Sequence, residues 1–149
     1  MNRLFAAAAL LVVFLLSTGC SHQINAAVEP GVDMSRVRSY YVVRPEASDV
    51  VTAIENDLKG RGFAVTTGPE SSTPATADCK VIAHDKWMWD ITMYLLEVKI
   101  DMVDARTGAL LALGRCYRTS TVRKSPKLMV KEITDKIFAP AAPAVASAQ

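Results

Sequence analysis

The stretch YLLEVKIDMVDARTGALLALG, Tyr94 to Gly114, decides the fold. Tyr94, Leu96, Val98, Ile100 and Met102 alternate with Leu95, Glu97, Lys99 and Asp101, which gives an extended chain one apolar face and one mostly polar face. The run Asp101 to Gly108 then carries Asp104, Thr107 and Gly108, residues that favour a tight reversal between Val103 and Leu110. A half-buried strand followed by a tight turn predicts an antiparallel meander, with two long strands and a third between Cys79 and about Val122.

The segments on either side supply what would cover the apolar face. Arg36 to Arg44 (RVRSYYVVR) is rich in β-formers and predicts the first strand. Ser48 caps a helix that starts at Asp49, and Val50, Ile54 and Leu58 recur on one stripe with Val51 beside them. Lys59, Gly60, Arg61 and Gly62 stop that helix, and Phe63 to Thr67 gives a short second strand. The loop Gly68 to Asp78 follows. Ser125 and Pro126 open a second helix, with Val130, Ile133 and Ile137 inward, Lys127, Lys131 and Lys136 outward, and Pro140 at its end. Two amphipathic helices and a half-apolar sheet predict an α+β two-layer sandwich, β-α-β-β-β-β-α, with a mostly antiparallel sheet and both helices on one face.

The N-terminus has a different character. Asn2 and Arg3 precede the apolar run Leu4 to Leu16, and the small residues Ser17, Thr18 and Gly19 precede Cys20. This pattern predicts an export signal over residues 1–19, because the apolar run is shorter than the roughly 20 residues a membrane span needs. Cys20 directly after the cut resembles the acylated residue of the bacterial lipoprotein pathway, and Ser21 in place of Asp points to the outer membrane, periplasmic face. Leu16 stands one place further back than in the usual lipobox, where Ser17 now sits. Ordinary signal cleavage with release to the periplasm is the alternative.

Removal of the signal leaves about 130 residues, enough for one domain with a core. The expected organisation is a flexible tether over 20–33, an α+β domain over 34–139 and an Ala/Pro-rich mobile tail over 140–149. Lys and Arg number 17 against 15 Asp and Glu, a balance that argues against a nucleic-acid partner. The sequential cluster Arg115, Arg118, Arg123, Lys124, Lys127 and Lys131 could meet anionic headgroups, although strand alternation splits Arg115 from Arg118 and favours an ordinary solvated surface.

Few residues suggest chemistry. His84 and Asp85, as neighbours on a strand, point to opposite faces, and His22 belongs to the tether. Ser71, Ser72, Ser120 and Ser125 stand in no GxSxG elbow, and no phosphate-binding glycine motif is present. With Cys20 used for lipid, Cys79 and Cys116 remain as a candidate disulfide, yet an intervening strand would hold them beyond the roughly 7 Å a disulfide tolerates. Neither cysteine forms a zinc-binding spacing with His84, so no metal and no cofactor is expected. Trp87 and Trp89 share a strand face, with Met88 and Asp90 on the other and Tyr94 across the turn. Trp87, Trp89 and Tyr94 form either a contact platform for a partner or ligand, or a lid over one end of the core.

Ser39 to Val43, the pair Ala77 and Asp78, the set Trp87, Trp89, Asp90, Tyr94 and Leu95, the stretch Asp104 to Gly114 and the helix closing at Phe138 together resemble a family of small bacterial envelope lipoproteins that carry a domain of unknown function. The resemblance covers most of residues 34–139. It implies an outer-membrane or periplasmic lipoprotein and carries over no catalytic residue, while Cys79 and Cys116 depart from it. The expected function is a non-enzymatic binding or assembly module, held to the membrane by its lipid, that contacts another envelope protein or a small apolar or cell-wall ligand. A lipid-handling auxiliary of an envelope transport system is the alternative and predicts an apolar groove between helices and sheet. A hydrolase would need His84, Asp85 and Asp90 to converge in a cleft.

Overall fold

A computed structural model describes residues 22–139 apart from 45. The signal peptide expected over 1–19, the acylation expected at Cys20 and the mobile tail expected over 140–149 fall outside the described residues. The observed order is β1 (His22–Val28), β2 (Ser39–Val43), α1 (Asp49–Gly60), β3 (Ala64–Gly68), β4 (Cys79–Asp90), β5 (Thr92–Asp104), β6 (Leu110–Arg118) and α2 (Pro126–Ile137). The strands make one six-stranded sheet in the order β1-β6-β5-β4-β2-β3. The α+β sandwich expected from the sequence is the fold found. Among the described residues no helix is long and apolar enough to cross a membrane.

Ser48 and Ser125 stand at the N-caps expected from the sequence, but only Ser48 caps through its side chain, and α2 opens on Pro126 with no side-chain cap from Ser125. Ser48 Oγ accepts from the Val51 amide at 3.3 Å and Asp49 sits at the positive end of α1. Val50, Val51, Ile54 and Leu58 are buried, as are Met129, Val130, Ile133 and Ile137 of α2. Both stripes join Val81, Val98, Ile100, Met102 and Cys116 of the sheet in one core. The Asp104–Gly108 reversal forms as expected: Asp104 Oδ1 accepts from the Arg106 and Thr107 amides, and Gly108 takes φ +74.

Asp78 explains why the short loop before β4 leads into a parallel pairing. Its Oδ2 accepts from the amides of Arg38 and Ser39 at 3.0 and 2.9 Å and from Ser39 Oγ at 2.9 Å. The start of β4 is thereby pinned to the start of β2, and Cys79–Val81 pair in parallel with Tyr40–Val42. These hydrogen bonds hold the Asp78 carboxyl below its ordinary range.

Two expectations are corrected. The 20–33 tether does not hold, because His22–Val28 pairs antiparallel with β6 along its whole length and adds a sixth, edge strand. Its inward residues, Ile24, Ala26 and Val28, are small or few, so composition hid a period-two pattern that pairing makes worthwhile. The alternation in β5 also fails to continue unbroken. Lys86 pairs with Glu97 and Trp87 with Leu95, which leaves Leu96 as an extra residue in a β-bulge. Leu95, not Leu96, therefore joins Val98, Ile100 and Met102 in the main core, and Tyr94 faces the other way.

The β4–β5 turn comes down to Ile91, since Asp90 pairs with Thr92. Ile91 has φ +60, a region that a β-branched side chain enters at a cost of about 1–2 kcal/mol. Ile91→Gly is expected to stabilise the fold by about 0.5–1 kcal/mol after the entropy cost of glycine is subtracted, read as a raised urea midpoint at unchanged slope. An unchanged or lowered midpoint would show that the turn carries no strain.

Candidate functional site

The candidate site is the end of the β4–β5 hairpin, which outruns every neighbouring strand. On one side β2 pairs only with Cys79–Val81, so β4 from Ile82 onward has no strand beside it. On the other side β6 pairs with β5 only from Glu97 onward. Residues 87–96 thus form a two-stranded arm, and β4 has a free outer edge from Ile82 onward, a feature that invites addition of another strand.

The arm has two faces. Trp87 pairs with Leu95 and Trp89 with Met93, all continuing the helix side of the sheet. Near the base, Trp87 donates from Nε1 to Asp85 Oδ2 at 2.6 Å and lines a hollow of about 550 Å³ with Ser48, Asp49, Val51 and Ala83 at the start of α1. Towards the tip the apolar groups reach solvent. Trp89 is 70% exposed, Met93 56% and Ile91 88%, against 38% for Trp87. The lid-over-the-core alternative does not describe Trp89, because the helices end before the arm does.

Arg123, which follows the 3-10 turn Ser120–Val122, ties the other face to the body. It donates from Nη1 to Thr92 Oγ1 at 2.6 Å and from Nη2 to the Asp90 carbonyl at 2.9 Å, and its guanidinium lies 4.6 Å from the centre of the Tyr94 ring. Tyr94 pairs with Met88 and so lies on the face opposite the tryptophans, half-buried beneath Arg123. Trp87, Trp89 and Tyr94 are therefore not one platform. Sequence reasoning missed Ile91 and Met93, although the apolar residues of WMWDITM around the presumed turn, where Asn and Gly are usual, were the available signal.

The other candidates are dispersed. His84 points to the outer face beside Asp101, 3.7 Å away, Asp85 bonds Trp87, and Asp90 holds Arg123, so the three do not converge. The Cys79–Cys116 disulfide is absent: both thiols are free and buried, with β5 between their strands, Cys79 opposite Asp104 and Cys116 opposite Val98. Burial pushes the Cys79 thiol up to about 12 and raises Cys116 as well, so both stay protonated at neutral pH. Among the described residues no three potential ligands stand together to hold a metal ion.

The basic cluster is largely consumed internally. Arg115 pairs with Glu97, Arg123 with Asp90 and Lys131 with Asp135. Arg118 and Lys124 both pair with Glu132. A second hollow, about 890 Å³, lies between the end of α2 and the entry to β2, lined by Val28, Val32, Met34, Phe63, Ile137 and Phe138 together with charged neighbours.

No protein-family model matches the sequence, and no curated protein matches it. Solved structures do match in shape. The PelC dodecamer from Paraburkholderia phytofirmans gives a TM-score of 0.55 at 15% identity, over 80% of this chain and 97% of that one, and a single-substitution variant of the same protein gives the same values. A PDZ domain protein from Parabacteroides distasonis gives a TM-score of 0.50 at 12% identity, over 92% of this chain and 40% of that one. At these identities the likeness extends to the fold alone, so the chain shares its α+β architecture with PelC and its function has to be read from its own residues.

Proposed function

We propose that this chain is a lipid-anchored, non-enzymatic binding or assembly module of the bacterial envelope, held at the outer membrane through Cys20 and working by contact through the β4–β5 arm. The observation that carries the reading is the arm itself, a free strand edge beside a half-exposed Trp87 and a hollow at the start of α1. A partner that adds a strand to the Ile82–Asp90 edge gains backbone hydrogen bonds there and a tryptophan anchor from Trp87. The lipoprotein family resembled by Trp87, Trp89, Asp90 and Tyr94 supports the same reading, and so does the use of this fold in an assembly, since PelC is a dodecamer.

The test is fractionation and photo-crosslinking in intact cells. Cys20→Ala is expected to move the protein from the membrane to the soluble fraction, because two or more acyl chains at about 0.8 kcal/mol per methylene supply the anchoring. A photo-reactive residue at Asp85 is expected to give a discrete adduct that is absent from the exposed Asn56 on α1. Membrane retention of Cys20→Ala would remove the anchor, and equal labelling at both positions would remove the arm as the contact. The hollow of about 890 Å³, with its Phe63, Ile137 and Phe138 walls, favours the lipid-handling auxiliary as a second reading. Lipid co-extracted with the Cys20→Ala protein would support it.

A further inference from the structure

We infer that the tip of the arm, Trp89, Ile91 and Met93, enters the lipid bilayer to which Cys20 anchors the chain. This rests on the anchoring just proposed and adds to it a second, non-covalent membrane contact. The argument begins with strand direction. Gln23 pairs with Tyr117, and Tyr117 pairs with Glu97, so these three residues stand at one level across the sheet. From that level β1 runs back towards its first residue, His22, in the same direction in which β5 runs back to the hairpin tip. The chain towards Cys20 therefore leaves the domain from the end that carries Trp89 and Ile91.

Reach decides the rest. Leu96 in the bulge adds no rise, so the reach is measured along β4: Lys86 stands level with Glu97 and Ile91 lies five residues beyond it, about 16 Å at the rise of a strand. Three residues separate Gln23 from Cys20, about 10 Å at full extension. The tip thus extends about 6 Å further than the acylated cysteine can, even with the connecting residues fully drawn out. An anchor that keeps Cys20 at the headgroups carries the tip past them, to the depth of about 5–10 Å at which amphipathic segments lie. The side chains suit that level. Trp89, Ile91 and Met93 are exposed and uncharged, and tryptophan prefers the boundary between headgroups and acyl chains. Ile91 also occupies a left-handed turn position that asparagine or glycine fills without strain, so the chain bears a conformational cost that presents an apolar group at the apex.

Trp87 and Trp89 are the only tryptophans, which makes fluorescence a direct test. Full-length protein purified from membranes with Trp87→Phe, so that Trp89 alone reports, is reconstituted into vesicles of phosphatidylethanolamine with some phosphatidylglycerol, with and without bromine on the acyl chains. A companion carries Trp89→Phe and reports from Trp87. The expected result is blue-shifted Trp89 emission that falls by about half or more in brominated vesicles, with weaker quenching of Trp87, which sits two residues nearer the domain. Unquenched, water-like Trp89 emission in protein whose Cys20 is shown by mass spectrometry to be acylated overturns the inference and leaves the anchor standing. A blue shift without quenching, the sign of Trp89 buried against protein, also overturns it. An unacylated Cys20 removes the anchor and this inference with it.

Discussion

Replacing Gly114 by alanine is expected to destabilise the fold by about 3 kcal/mol, the upper part of the usual range for overpacking. A methyl at this position would lie 2.1 Å from Ile133 Cγ2 and 3.4 Å from Ile133 Cβ, distances at which something must move. The neighbour has little freedom, because Ile133 is a fully buried β-branched residue inside α2 and is held in essentially one rotamer there. Three successive inward positions of β6, Ala112, Gly114 and Cys116, are small, and this lets α2 lie close against the sheet there. Chemical denaturation of Gly114→Ala, Ile133→Ala and the double variant checks the contact. Ile133→Ala alone should cost about 2–5 kcal/mol, and the double variant should lose at least about 1 kcal/mol less than the sum, since the added methyl occupies part of the vacated space. Strictly additive losses would refute the close approach.

The second large effect is expected at Glu132, whose replacement by alanine should cost about 2–3 kcal/mol. Arg118 is 4% exposed and donates from Nη2 to Glu132 Oε2 at 2.5 Å, Lys124 pairs with the other carboxylate oxygen, and the Arg118 Nε has no hydrogen-bond partner within the described residues. Removal of the carboxylate would leave a guanidinium largely shut off from water without its counter-charge, a situation that costs about 3–5 kcal/mol when burial is complete. The partial exposure of Glu132 reduces that figure. Burial by itself would raise the Glu132 carboxyl, but hydrogen bonds from Lys124 and Arg118 outweigh it and hold the group below its ordinary 4.5. A lowered folded-state value means that the stabilisation is complete above the ordinary carboxylate range and is lost as acid carries the pH down through the folded value. The stability gap between wild type and Glu132→Gln should therefore be widest near neutral pH and close as the pH falls below the ordinary 4.5 and through the lowered folded-state value. A gap that stayed constant into acid would show that the charge on Glu132 contributes nothing.

Parts of the fold were legible because local physics encodes them. The Ser48 cap, the Val50–Ile54–Leu58 stripe and the Asp104–Gly108 turn depend on residues within a few positions of one another, and each stands where the pattern put it. β1 was not legible. His22–Val28 has too few large apolar residues to declare itself, and it becomes a strand only because β6 offers seven consecutive partners. The site was half legible: WMWD marked the right hairpin and the shared face of Trp87 and Trp89, while Tyr94 was assigned to them although the bulge at Leu96 and the cross-strand pairing with Met88 turn it away.

Taken alone, the order of residues determined an α+β sandwich with two amphipathic helices, one tight hairpin turn and a signal-like start ending in cysteine. Tertiary structure decided that β4 and β5 outrun their neighbours, that Trp89, Ile91 and Met93 stand in solvent, and that β1 begins at the same end of the sheet. The reason is physical. Periodicity reports which face a side chain takes, whereas its exposure depends on how far strands remote in sequence extend beside it, and only the assembled sheet sets that length.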